Sequence, residues 1–275
     1  MYKNNRLYAQ SFIAAMEINE GFYITLPSNA SLDVFQNNTS SSYQVNLAQP
    51  LHLDGSWQVA MTEMSYPHTW YNLPIDVAYF EWIKKSKSPE IVSKVKLQMF
   101  SGGYYSTISQ LKAELESCFR KIDSDVHFYY SPIHRKIEFQ GGGQHRFRFP
   151  KPLAYMLGIK PDQWIKFDDK SATYPADINA GATHLYCYSN VVSHQRVGDA
   201  FAPLLRTVDI KGTFGDTITQ YFSPAYYLPV TKTHIENIQI EIKNDQNEPV
   251  KFTYGKSVVK LHFRPSKAGQ SFAKR

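Results

Sequence analysis

Alternating apolar and polar positions dominate the chain from about residue 21 onward. In YQVNL (43–47) the first, third and fifth side chains are apolar and the other two are polar, and WQVAM (57–61) begins a similar run. The segment FYITLP (22–27) is rich in β-forming residues and ends at a proline. A period of two residues is typical of half-buried strands, so three such segments without a helical period between them predict an antiparallel β-layer over 21–82.

The same pattern returns in the last third of the chain. Ile238, Ile240 and Ile242 alternate with polar residues, and the C-terminal half of SVVKLHF (257–263) does the same. The two β-rich parts, 21–82 and 184–264, together hold about eight sandwich strands, which predicts a mainly β protein with a jelly-roll β-sandwich. A plain Greek-key sandwich fits almost as well, because alternation does not reveal which strands pair. The strands predicted in the second part are LYCYSN, LLRTVDI, DTITQYF, HIENIQIEI, VKFTY and SVVKLHF.

The middle of the chain has a different pattern. Apolar residues at 108, 111, 115, 118, 119 and 122 recur at helical spacing and predict an amphipathic helix, with Thr107 as its N-cap and Gln110 three residues later. A mixture of strands and helices within about seventy residues predicts an α+β insertion over 83–183. Its other predicted elements are the strands VKLQMF, VHFYY, RKIEF and HRFRF and a short helix through PLAYMLGI.

The two ends of the chain are predicted to lie outside the sandwich. Residues 1–20 show no sustained period and are interpreted as an N-terminal arm without the apolar core of a signal peptide, so we do not expect a secreted protein. Residues 265–275 form a basic C-terminal tail, which we interpret as a solvated segment. Docking of this tail on an acidic partner or on nucleic acid is the alternative. No apolar run reaches the ~18–20 residues that a membrane span requires.

Local signatures of catalysis or metal binding are missing from the sequence. The chain has nine histidines but no HExxH, CxxC or GxSxG motif, so we predict no catalytic residue, no metal ligand, no cofactor and no enzyme. The segment HRFRF (145–149) mixes cations and rings as single-strand nucleic-acid platforms do. In a strand, however, its two arginines share one face and its two phenylalanines share the other, which favours a half-buried strand with a basic outer face.

Four collinear segments carry a resemblance to a known family. They are FYITLPSNAS, LHLDGSWQVAMTEMSYPHTWYN, VGDAFAPLLRTV and FTYGKSVVKLHF. Together they resemble the penton, or minor capsid, proteins of Polinton (Maverick) elements and of the related adintoviruses, which are double-stranded DNA elements of virus-like organisation. The resemblance spans about residues 21–264 and includes the GYY-plus-helix part of the insertion (103–122).

This resemblance implies a structural virion protein. A single jelly-roll subunit would form homopentamers at the vertices of an icosahedral capsid, beside a separate double-jelly-roll major capsid protein. Assembly would take place in the host cytoplasm or nucleus. A β-sandwich binding module, such as a lectin-like or receptor-attachment protein, is the alternative function, because jelly rolls serve many purposes.

The segment VGDAFAPLLRTV (197–208) is the predicted subunit interface. It begins with turn-forming residues, and the apolar residues Phe201, Pro203 and Leu204 follow directly. A loop that covers the sandwich core is the alternative interpretation. The predicted interface residues are Val197, Gly198, Asp199, Phe201, Pro203, Leu204 and Arg206.

A second cluster follows the predicted strand at 57–66. Pro67 cannot donate to a strand ladder, so the strand should end there or become an edge, while Trp57 should point into the sandwich. His68, Trp70 and Tyr71 come next, and no acid–base partner stands near His68 in sequence. We therefore predict that these five residues form a structural corner that also meets a neighbouring subunit, and that they form no site for a ligand or for chemistry.

Overall fold

A computed structural model describes residues 21–84, 95–141, 145–166, 172–180 and 182–266. The chain forms two compact units, which we call the sandwich unit (Met1–Thr69 with Thr183–Arg275) and the inserted unit (Trp70–Ala182). The predicted arm (1–20) and the predicted tail from residue 267 onward lie outside the described residues. None of the helices in the described ranges combines the length and apolar character needed to span a bilayer.

The sandwich unit contains eleven strands in the residues that the structure describes. They are β1 (Phe22–Pro27), β2 (Ser42–His52), β3 (Trp57–Pro67), β10 (His184–Ser189), β11 (Gln195–Val197), β12 (Ala200–Ala202), β13 (Leu204–Asp209), β14 (Thr217–Tyr221), β15 (Leu228–Pro229), β16 (His234–Lys243) and β17 (Val258–Pro265). The other strands of the described residues lie in the inserted unit.

Nine of these strands form two antiparallel sheets in a jelly-roll arrangement. The first sheet has the order β1-β17-β3-β14, with β15 also pairing with β3, and the second has the order β13-β10-β16-β2. Strands that are neighbours in a sheet are distant in sequence, as two Greek keys require. The predicted fold class, a mainly β jelly-roll sandwich with about eight strands and an α+β insertion, is confirmed.

The core of the sandwich unit follows the alternation of its strands. Ile238, Ile240 and Ile242 of β16 are fully buried, as are the alternate apolar residues of β17. Two buried tyrosines connect the sheets. The Tyr43 hydroxyl of β2 donates to the main-chain oxygen of Leu26 in β1, and the Tyr66 hydroxyl of β3 donates to that of Asp209 in β13, each at 3.1 Å. Burial of alternate side chains from both sheets supplies most of the free energy that holds such a sandwich together.

The inserted unit contains two α-helices and several short strands in its described residues. The helices are α1 (Ile108–Arg120) and α2 (Lys151–Met156), and a 3-10 helix covers Ile75–Val77. The strands are β4 (Tyr79–Lys84), β5 (Lys96–Met99), β6 (His127–Ser131), β7 (Lys136–Gln140), β8 (His145–Arg148) and β9 (Ile165–Lys166). Strands β5-β4-β8-β9 form one sheet, and β6 and β7 form a hairpin.

The predicted helix begins where the sequence indicated. The Thr107 hydroxyl accepts a hydrogen bond from the main-chain amide of Gln110, which caps the N-terminus of α1. Its apolar face is buried, and Phe119 stacks on Phe80 of β4 with ring centroids 4.1 Å apart. Phe147 of β8 is also buried in this core, whereas Arg146 is exposed, so the rings of HRFRF point inward as predicted.

Two details of the sequence prediction are wrong. Residues 79–82 were assigned to the sandwich, but β4 pairs with β5 and β8, and the units divide at 69/70 and 182/183. The segment VKFTY (250–254) was predicted as a strand, but these residues form no ladder. Its main-chain bonds go to separate segments, since the Val250 amide donates to Ile242 and the Thr253 amide donates to Thr69.

Candidate subunit interface

The predicted interface begins with a β-hairpin. Strands β11 and β12 pair from Gln195↔Ala202 to Val197↔Ala200, which leaves Gly198 and Asp199 as a two-residue turn. Gly198 has a φ of +61°, and glycine at the first central position of such a turn is the residue that this conformation favours. The turn chemistry was recognised in the sequence, whereas the two short strands were not.

The hairpin presents an apolar ring to solvent. Phe201 is 68% exposed and stacks on His194 with ring centroids 5.9 Å apart. Gly198 and Asp199 are exposed as well, while Val197, Pro203 and Leu204 are half-buried. A loop that merely covered the sandwich core would bury the Phe201 ring, so its exposure favours a surface contact for this part of the segment.

Arg206 lies in a different environment from the hairpin. It stands opposite Cys187 in the antiparallel register of β13 and β10, and opposite residues share one face of a sheet. Cys187 is fully buried, so the Arg206 side chain starts on the core side of its sheet. The guanidinium carbon lies 4.1 Å from the ring centroid of Phe222 and 4.9 Å from that of Tyr226.

These two rings were missed at the level of sequence. Phe222 and Tyr226 follow β14, the last strand of the first sheet, and Arg206 belongs to β13, the last strand of the second. Burial lowers the pKa of Arg206 from its ordinary value, and Tyr226 opposes this shift. The aromatic run in YFSPAYY (221–227) was a usable signal, but only the strand order brings it beside Arg206.

The predicted corner is divided between the two units. Trp57, Pro67 and His68 belong to the sandwich unit, whereas Trp70 and Tyr71 belong to the inserted unit. Trp57 is buried, and its indole nitrogen donates to the main-chain oxygen of Asp54 at 3.0 Å. Strand β3 ends at Pro67, as expected for a residue without an amide hydrogen.

His68 is buried at the end of β3. Its main-chain amide donates to Asp216, and its carbonyl oxygen accepts from Gly215, both at 2.8 Å. Burial lowers the pKa of His68, while the hydrogen bond to the Lys211 carbonyl and the nearby Asp216 carboxylate oppose that shift. The imidazole therefore favours its neutral form and contributes hydrogen bonds to the packing of this turn.

The described residues offer little to a metal ion or a substrate. They contain no group of three or more histidine, cysteine, aspartate or glutamate side chains that could hold a metal. A shallow pocket in the inserted unit has Asp177 as its only acidic or basic lining residue among those described, beside Tyr155, Gly158, Ile159, Tyr174 and Ala180. Both cysteines are buried, and burial raises the pKa of each thiol.

Comparison with known proteins finds a solved structure of similar fold. No protein-family model and no curated protein matches the chain. Among solved structures, the chain is similar to the crystal structure of the selenomethionine-labelled mavirus penton protein, with a TM-score of 0.50 and 11% sequence identity. The chain has a penton-like fold. The similarity covers 90% of this chain and 99% of that one, so it cannot be confined to the sandwich unit.

Proposed function

We propose that this chain is a penton subunit, a structural protein that forms homopentamers at the vertices of an icosahedral capsid. Its neighbours there would be copies of a double-jelly-roll major capsid protein, and its location would be the virion. The four sequence segments that resemble Polinton and adintovirus pentons support a particle of that kind, assembled in the host cytoplasm or nucleus.

The observation that carries this proposal is the extent of the fold similarity. A jelly roll alone would be weak support, because the same sandwich serves many functions. Here the similarity to the mavirus penton protein includes nearly all of that chain and most of this one. Since the inserted unit is far longer than the uncovered tenth, the resemblance extends to a feature that simple jelly rolls lack.

Exposed aromatic side chains give the proposal a second support. Phe201, Tyr221 and Tyr226 are each more than 60% exposed, and all three belong to the sandwich unit. Tyrosine and phenylalanine are enriched at protein–protein interfaces, because a broad ring buries much apolar area at a small entropic cost. Their exposure in a single chain is therefore consistent with surfaces that become buried on assembly.

The test is the oligomeric state of the purified chain. Mass photometry should detect a species of five times the chain mass, either for the chain alone at high concentration or after addition of the major capsid protein. Electron microscopy of the mixture should then show fivefold density at the vertices. A chain that stays monomeric under both conditions would contradict the proposal, and specific glycan binding by that monomer would favour the lectin-like alternative.

A further inference from the structure

The side chain of Arg206 stands at one edge of the sandwich with an incomplete set of partners. Within the described residues, β13 pairs only with β10 and β14 pairs only with β3, so both strands end their sheets on this side. Phe222 and Tyr226, which follow β14, contact the guanidinium of Arg206. Together these three residues form what we call the arginine receptor.

The arginine receptor has N–H donors that no hydrogen-bond acceptor satisfies. A guanidinium carries five N–H donors, and the faces of aromatic rings stabilise its charge without accepting conventional hydrogen bonds. Among the described residues, the guanidinium of Arg206 has no hydrogen bond and no carboxylate within 4 Å. Closing an interface over these donors would be costly unless the opposite surface supplied an acceptor, and a carboxylate matches the planar fork best.

The same chain exposes a matching group. Asp199 lies at the tip of the β11–β12 hairpin, two residues before the exposed ring of Phe201, and the described residues give its carboxylate no ion pair. In the described part of a single chain, no ion pair or hydrogen bond joins the side chains of Asp199 and Arg206. In a closed ring, however, each copy presents one surface to a different surface of the next copy, so both groups can be used at every contact.

We propose that the Asp199 carboxylate of one copy binds the arginine receptor of the next copy, with Phe201 adding its ring to the same contact. This inference rests on the proposed pentamer and names one contact that holds it. The hairpin supplies the carboxylate that accepts, and the edge of the sandwich formed by β13 and β14 supplies the guanidinium that donates.

A charge-swap experiment on the full chain tests this contact. Arg206→Glu and Asp199→Arg should each raise the dissociation constant of the pentamer on the order of tenfold or more, because each leaves a charge opposite a like charge. The double variant carries both changes in every copy and should return the dissociation constant close to that of the wild type. Mass photometry over a concentration series measures all four proteins.

Controls separate this contact from general charge effects. Lys251 is exposed, and Lys251→Glu changes the net charge by the same amount as Arg206→Glu. This variant should not weaken the pentamer, and it should not restore assembly when combined with Asp199→Arg. Asp199 is exposed, so its variant should fold even if Arg206→Glu does not, and thermal unfolding followed by circular dichroism will show which proteins are folded. Folded Asp199→Arg with unchanged assembly would overturn the proposal.

Two further outcomes distinguish this contact from the proposed function. If both single variants weaken the pentamer but the double variant does not recover, the two residues do not pair and the contact is refuted while the pentamer stands. If the wild type never assembles, alone or with the major capsid protein, both the contact and the proposed function fail. Only a return of the dissociation constant towards the wild-type value in the double variant supports the pairing.

Discussion

The imidazole Nδ1 atom of His68 lies 3.1 Å from the main-chain carbonyl oxygen of Lys211. A carbonyl oxygen only accepts, so this contact assigns the proton of the neutral ring to Nδ1. The same residue is fixed through its main chain to Gly215 and Asp216. His68 thus connects the end of β3 with the loop that precedes β14, and the folded state favours the neutral form of its imidazole.

This relationship predicts how the stability of the sandwich unit depends on pH. The folded-state pKa of His68 is lowered from 6.5 by burial, so the unfolded chain binds more protons in the interval between the two values. The contribution of neutral His68 is complete above about pH 6.5 and is lost as the pH falls through the folded-state pKa. His68→Gln should therefore lose less stability than the wild type on acidification.

Urea unfolding at a series of pH values below neutrality measures this difference. The Gln side chain can still donate to the Lys211 carbonyl but does not titrate, so the variant should remain folded and should assemble normally. His234→Gln provides the control, because that histidine is exposed. Parallel pH profiles for the wild type and His68→Gln would contradict the prediction, and loss of a measurable activity would contradict the structural role of this corner.

Trp57 should be a major contributor to the stability of the sandwich unit. Its side chain is 5% exposed, and its ring lies 5.7 Å from that of Phe22. Trp57→Ala should lower the free energy of unfolding by about 3–5 kcal/mol, because it removes a large buried ring and the indole hydrogen bond. Urea unfolding followed by far-ultraviolet circular dichroism measures the loss.

Tyr221→Ala is the matched control for this prediction. Tyr221 is also an aromatic residue of a strand in the first sheet, but it is 76% exposed. Its removal should change the free energy of unfolding by no more than about 0.5 kcal/mol. Equal losses for Tyr221→Ala and Trp57→Ala would show that burial in the single chain does not determine their contributions.

The sequence was most informative where a residue's neighbours along the chain determine its environment. Alternation placed Ile238, Ile240 and Ile242 on one face of a strand, and all three are buried. Helical spacing predicted α1, whose Leu111 and Leu115 are buried as well. In both cases the period of the element fixes which side chains share a face, and the hydrophobic effect selects the apolar face for the core.

The sequence was least informative where two distant segments meet. Residues 79–82 were assigned to the sandwich because the partners of β4, which are β5 and β8, depend on register, and a single strand does not encode register. The same limit applies to the arginine receptor. Arg206 was selected for its position in a segment, whereas Phe222 reaches it only because β13 and β14 each end a sheet on this side.

Gly158 should be the least replaceable of the described glycines in the inserted unit. It has a φ of +70°, and a Cβ atom there would lie 2.2 Å from the main-chain oxygen of Tyr174. Gly55 has a similar φ of +82° but has open space around the same position. Both Gly→Ala variants should therefore carry the left-handed backbone cost of about 1–2 kcal/mol.

Only Gly158→Ala should show an additional loss of roughly 1–3 kcal/mol, because the main chain at Tyr174 must move to admit the methyl group. Thermal unfolding of the two variants beside the wild type measures this difference. Equal destabilisation of both variants would show that the backbone conformation alone accounts for the effect, and that the close approach of Tyr174 adds nothing.

Cys187 should be inert to alkylation in the folded protein. It is fully buried in β10, and burial raises the pKa of its thiol to about 12. The thiolate is the reactive form, so at pH 8 both the low thiolate fraction and the lack of access oppose reaction with iodoacetamide. Mass spectrometry of tryptic peptides should find Cys187 unmodified in the native protein and fully modified in denaturant. Native labelling of Cys187 at the denatured rate would contradict the packing of β10 between β13 and β16.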